Sequence, residues 1–458
     1  RFGCRSYEID PDRGFILNGE EYPLRGVARH QDRWGIGNAL LPEHHAEDID
    51  LIMEIGATTI RLAHYQHNQY VYDLCDEKGL VIWAEIPYIS SHLDNGNENT
   101  AQQMTELIVQ NYNHPSIVVW GLSNEVTSEG ADPRIDENHK ALNDLCHSLD
   151  KPRPTTIAVV SMCPTDHPYI QIPDVVSYNH YFGWYGGKME DNGPWLDNFH
   201  AKHPTICLGV SEYGCEGIIT YHGIDPKCKD YSEDYQALYH EHMAKVLDER
   251  PWIWSSHVWN MFDFGCAARN EGGVAGRNNK GLISMDRQTK KDSYYIYKAY
   301  WNPAPMVHLC GKRYAQRAGD VREIKVYTNQ PVVELFLNGK KVGEAEAVDH
   351  ICKFDVALAE GYNIFLAVAN GVKDTMTIEK VEVEPEIYTL PQTDDGNEGA
   401  ANWFTAMGDV ELDDGPMVFP EGKMSIKTKI MDIYKNEEAW EFVSKMMGGF
   451  KLGPDHPM

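Results

Sequence analysis

The chain has 458 residues, 42% hydrophobic and 11% aromatic, with 41 basic against 69 acidic side chains and a formal net charge of −28. This is a core-forming composition of two or three domains, and its acidity argues against a nucleic acid or an anionic membrane as partner, because both would repel it. No apolar run reaches the roughly 18 residues of a membrane span, and the ten cysteines form no CxxC pair, a usage that favours reduced thiols and the cytoplasm.

Up to about residue 302 one grammar repeats: a short apolar run, a loop carrying polar residues, then a helix-like stretch. The candidate strands are 24–30, 58–65, 80–87, 117–125, 155–161, 175–181, 205–214 and 255–264, with helices such as 43–55, 99–113 and 232–249 between them. Strands that are apolar throughout suit a parallel sheet buried on both faces. Polar and aromatic residues end most of them. A closed barrel gathers such ends at one mouth, so the expectation is an α/β fold with a (β/α)8 TIM barrel over 1–302, ahead of a doubly wound open sheet.

From 303 the pattern changes to short strands at 321–328, 332–337, 340–345, 352–357, 362–369 and 373–382. Asn338-Gly339 reads as a type I′ hairpin turn, and 303–384 as an immunoglobulin-like β-sandwich. A Pro-, Asp- and Gly-rich linker at 385–422 leads to a short C-terminal helical tail at 424–447, together the segment 385–458.

Two carboxylates carry the chemistry. Glu125 ends IVVWGLSNE and Glu212 lies in CLGVSEYG, each after a buried run where ionisation is costly and a carboxyl pKa rises. Retaining glycoside hydrolysis needs two such groups about 5–5.5 Å apart, one to protonate the leaving oxygen and one to attack the anomeric carbon. Strands four and seven of a barrel can bring them to one mouth.

Six motifs in order, RGVARHQD (25–32), IRLAHYQH (60–67), AEIP (84–87), WGLSNE (120–125), SEYG (211–214) and WNMFDF (259–264), give the chain its likeness: it resembles glycoside hydrolase family 2. The resemblance implies Glu125 as acid/base, Glu212 as nucleophile, and Asn124 bonding the sugar 2-hydroxyl. It places His30 and His64 at the sugar subsite and a strand-six tyrosine on the nucleophile, for which Tyr181 is preferred to Tyr178 and is accompanied by Asn179. Trp259 offers a face for a sugar ring, and Arg61 would orient carboxylates inside the barrel. Some relatives use the position of Glu85 as a magnesium ligand. Here Ile86 and Pro87 follow, with no histidine two positions on, so no metal ligand is assigned; no cofactor is required, and Mg²⁺ or Na⁺ stays an open question.

The motif set and the loop 271–287 look most like the family's bacterial β-galactosidases, and the reading adopted is a β-galactoside. Asn278-Asn279-Lys280 competes, because it fits the Asn-x-Lys pattern by which family members acting on β-hexuronides (glucuronides or galacturonides) grip the carboxylate. The chain opens on Arg1 without the jelly-roll and first immunoglobulin-like domains usual in the family. That leaves a third reading, an inactive sugar-binding fragment. The sandwich and tail are assigned packing, homo-oligomer contacts or an extended acceptor site.

Overall fold

The computed structural model describes residues 4–126 and 132–391, together with 433, 435–436 and 439–440. The first compact unit, residues 1–400, opens with a three-stranded antiparallel sheet: β1 (Tyr7–Asp10), β2 (Gly14–Leu17) and β3 (Glu20–Glu21). Sequence reasoning missed it. It closes the floor of the barrel, where Phe15 packs with Leu24, Val81, Trp83 and Trp254 at the strand starts and the Tyr7 hydroxyl donates to Val118 O at 2.7 Å.

Eight parallel strands then form a closed barrel: β4 (Leu24–Arg29), β5 (Thr59–Leu62), β6 (Val81–Glu85), β7 (Ile117–Asn124), β8 (Thr155–Val160), β9 (Val176–Asn179), β10 (Leu208–Tyr213) and β11 (Ser255–Val258). Nearly every residue in them is buried, as two covered faces require. Helices α1 (Pro42–Ile55), α2 (Gln69–Lys78), α3 (Gly96–Asn111), α4 (Pro133–Leu149), α5 (Asn192–Lys202), α6 (Glu233–Asp248) and α7 (Asp292–Trp301) pack outside. Pro42 opens α1, where a missing N–H costs nothing. A 3-10 turn at Pro168–Gln171 stands between β8 and β9 in place of a helix.

The expected last strand is shorter than its apolar run. It stops at Val258, and an antiparallel hairpin, β12 (Phe264–Glu271) and β13 (Val274–Asn278), rises beyond its C-terminal end.

The β-sandwich follows as two sheets. One holds β14 (Val307–Leu309), β16 (Val321–Thr328) and β19 (Ile351–Ala357); the other holds β15 (Gln316–Arg317), β17 (Val332–Leu337), β18 (Lys340–Glu346), β20 (Gly361–Ala369) and β21 (Val372–Lys380). Alternating inward residues such as Ile324, Val326, Leu335, Phe365 and Ile378 make its core. Asn338 (φ 49°) and Gly339 (φ 79°) form the β17–β18 turn, the left-handed pair a type I′ turn demands. None of the ten cysteines forms a disulfide. Apart from the few positions at 433–440, the expected helical tail lies outside the described residues, and no described helix is long and apolar enough to cross a membrane.

Candidate active site

The C-terminal strand ends converge on a buried polar network centred on Arg61. Its guanidinium is fully buried and donates to both oxygens of Glu85 at 2.9 Å, to Glu212 Oε1 at 2.7 Å and to Asn124 Oδ1 at 3.0 Å. His64 Nδ1 lies 2.9 Å from Glu85 Oε1. Burial pushes the Glu85 carboxyl up, but Arg61 and His64 outweigh it and hold it below its ordinary value. With both oxygens taken by the guanidinium, Glu85 does not fit a magnesium site.

Glu212 is held at its second oxygen by the Tyr181 hydroxyl, which donates to Oε2 at 2.7 Å; Tyr178 instead packs outward against Trp195 and Phe199. Glu125 follows the last residue of β7 at φ 50°, a left-handed conformation that costs a non-glycine residue about 1–3 kcal/mol and turns its carboxyl off the strand path. Asn179 Nδ2 donates to Glu125 Oε1 at 2.8 Å and to Asn124 Oδ1 at 3.1 Å, and its own Oδ1 accepts from Ser211 Oγ at 2.7 Å. Asn179 therefore links the ends of β7, β9 and β10. Desolvation first, then the negative charge of Glu212, raises the Glu125 pKa to about 7.

His30, His64 and Trp259 form one aromatic wall. Trp259 stacks on His64 at 4.8 Å and meets His30 edge-on at 5.3 Å, while Phe264 covers His30 at 4.2 Å. Burial, then the nearby His64, keeps His30 well below its ordinary pKa and so uncharged.

Asn278 and Lys280 part company. Asn278 turns into its own loop, its Oδ1 accepting from Lys280 N at 3.0 Å. The Lys280 ammonium, 1% exposed, donates to Tyr185 Oη and to Glu216 Oε1, both at 2.7 Å. Tyr185 meets Tyr181 edge-to-face at 5.2 Å, which places Lys280 one aromatic ring from the Glu212 partner. Arg269, on β12, donates to the same Tyr185 oxygen at 3.1 Å and to Glu271 Oε1 at 2.9 Å. The loop is held close: Gly281 N donates to Asp263 Oδ1 at 2.8 Å, and a Cβ at Gly281 would fall 1.9 Å from Asp263 N.

Sequence reasoning did not find Tyr185, Glu216 or Arg269. The first two stand four residues after Tyr181 and Glu212, a faint signal; nothing local marks Arg269. Among the described residues the one His/Cys/Asp/Glu group gathered tightly enough for a metal is Asp292, His308 and Cys310. It lies at the barrel–sandwich junction, where His308 Nε2 and Gly311 N already occupy Asp292 at 2.9 and 2.6 Å.

A closed (β/α)8 barrel with paired buried glutamates at its C-terminal mouth is an architecture of glycoside hydrolases. The family model for the TIM barrel domain of glycosyl hydrolases family 2 matches residues 9–305, and a model for a domain of unknown function matches 319–375. The chain belongs to glycoside hydrolase family 2.

A β-glucuronidase of Bacteroides fragilis is 42% identical over 404 residues, covering 84% of this chain and 57% of that protein. The crystal structure of an FMN-binding β-glucuronidase from Facaelibacterium prausnitzii L2-6 matches with TM-score 0.84 and 60% identity over 85% of this chain and 61% of that one. A Bacteroides fragilis structure provisionally described as a β-galactosidase matches with TM-score 0.80 and 39% identity, covering 84% and 59%. The chain thus spans less than two thirds of the proteins it matches.

These relatives overturn the β-galactoside expectation, since those at 42% and 60% identity are β-glucuronidases. The error has a physical source. Asn-x-Lys is two common residue types in a Gly-rich loop, and only folding distinguishes a lysine that orders a surface loop from one buried at the mouth.

Proposed function

We propose that the chain is the catalytic part of a retaining β-hexuronidase, in the first place a β-glucuronidase, that cleaves terminal β-D-uronides through a covalent glycosyl-enzyme. The observation that carries this reading is the buried Lys280 ammonium, joined through Tyr185 to the Tyr181–Glu212 pair. An ammonium there supplies a charge-assisted bond to a uronate carboxylate, about twice as strong as a neutral one, whereas a neutral hydroxymethyl group would leave that gain unused. The β-glucuronidase relatives support the same substrate class.

In the first step the Glu212 carboxylate attacks the anomeric carbon while protonated Glu125 gives its proton to the glycosidic oxygen, and the aglycone leaves as an alcohol. Arg61 and Tyr181 fix one Glu212 oxygen each. Esterification then removes the charge on Glu212 that helps raise the Glu125 pKa, so Glu125, having given up its proton, stays ionised and is available as the general base of the second step. There it takes a proton from water as the water displaces Glu212 from the sugar. Asn124 Oδ1 is engaged by Arg61 and Asn179, which leaves its amide N–H groups for the sugar 2-hydroxyl. His30, His64 and Trp259 form the sugar-facing wall. In this reading the barrel to about residue 302 is the catalytic domain, the sandwich 303–384 supports it, and no step passes through a metal or through the flavin for which the Facaelibacterium protein is described.

The test is to trap the intermediate with a carboxylate-bearing cyclophellitol-type inhibitor and map the adduct by peptide mass spectrometry. The adduct is expected on Glu212 and absent from Glu212→Gln. A stable adduct on another residue would refute the assignment. A chain that forms none and turns over no aryl glycoside would return the reading to a non-catalytic sugar-binding fragment.

A further inference from the structure

We propose that Glu216 is a positioning residue for substrate selectivity: it fixes the Lys280 ammonium and the 278–281 loop so that a carboxylate on the sugar is preferred over a hydroxymethyl group. The inference rests on the hexuronide reading above. Glu216 lies four residues beyond Glu212 on the same strand extension and is fully buried. Its two oxygens hold two parts of the loop: Oε1 accepts from Lys280 Nζ at 2.7 Å and Oε2 from Asn279 N at 2.6 Å. Gly217 N returns a bond to Asn279 O at 3.0 Å. Nucleophile and selectivity lysine are thereby locked to one piece of backbone.

A buried lysine without a counter-charge loses its proton or its place. Here burial pulls the Lys280 pKa down, but Glu216, with Tyr185 and Glu271 beside it, more than offsets that pull and holds it above its ordinary value. Glu216 and Tyr185 use two of the three ammonium donors, and the third remains for a uronate. Arg269 adds a second cation 3.8 Å from Glu216, while burial shifts the neighbouring Glu271 towards its neutral form. Arg269 also pairs with Glu271 at 2.9 Å, so two cations and two carboxylates are packed together beside Tyr185.

The experiment compares kcat/KM for nitrophenyl β-glucuronide and β-glucoside, which differ only at C6, in the purified protein and in Glu216→Gln, Lys280→Met and the double variant. Glu216→Gln is expected to lower the glucuronide-to-glucoside ratio by about 10- to 100-fold, the scale of one charge-assisted hydrogen bond, mostly through a higher KM for the glucuronide. In the Lys280→Met background it should change the ratio no further. Should Glu216→Gln unfold, Glu216→Asp, which keeps the charge and shortens its reach, carries the test with a smaller fall in the ratio. An unchanged ratio, or additive effects in the double variant, overturns the inference. An unsubstituted protein that prefers the glucoside instead removes the hexuronide reading beneath it.

Discussion

Glu125 and Glu212 are the same side chain in two electrostatic settings. Glu212 faces a guanidinium and a phenol hydroxyl, whereas Glu125 meets an amide in a desolvated position, and its pKa rises to about 7. An acid must hold its proton to act, so kcat/KM is expected to be level below about pH 7 and to fall about tenfold per unit above it. A profile that rises with pH through 7 would contradict this. Glu125→Gln should cost about 10²- to 10⁴-fold on alkyl uronides and much less on nitrophenyl uronides, whose leaving groups need little protonation; equal losses would remove the acid role. The strand-end residues Glu125, Glu212, His64 and Asn179 were legible because a parallel barrel must place strand ends at its mouth. Lys280 stood out only through the short Asn-x-Lys pattern, and Arg269 not at all, because their positions depend on how a loop and a hairpin fold back over that mouth.

Among the elements, the barrel strands were readable from continuous apolar runs. The floor sheet β1–β3 was not, although Asn18-Gly19 between β2 and β3 carries the left-handed turn pair (φ 54° and 87°). Its strands have four, four and two residues, too few for a period to stand out. The mouth loops are anchored by buried charge. Asp48 on α1 accepts from Arg29 of β4 at 2.7 and 2.9 Å and from Arg287 of the loop beyond Lys280 at 2.8 and 3.0 Å. Removing the shared acid leaves two buried cations unpaired. Asp48→Ala is expected to destabilise the chain by about 3–5 kcal/mol, the cost of breaking a buried pair from one side, read from urea unfolding; a loss below about 1 kcal/mol would show that the arginines find other partners.

At the scale of the whole molecule, barrel and sandwich meet through charge as well as apolar contact. Glu233 of α6 pairs with Arg313, Lys325 of β16 donates to Glu241 of α6 at 2.6 Å, and His308 of β14 stacks on Tyr295 of α7 at 3.6 Å. The sandwich strands were legible by alternation, but this joint was not, because its ion-paired partners lie 80 or more residues apart in the chain. The net charge of −28 gives no hint of an anionic substrate; the cations that would receive one are buried at the mouth. In the proposed function those cations select a β-hexuronide. Its most direct test is side-by-side turnover of nitrophenyl β-glucuronide and β-galactoside by the unsubstituted protein and by Lys280→Ala. A preference for the glucuronide that collapses with Lys280→Ala is the predicted result. A preference for the galactoside, or a glucuronide preference untouched by the substitution, would contradict it.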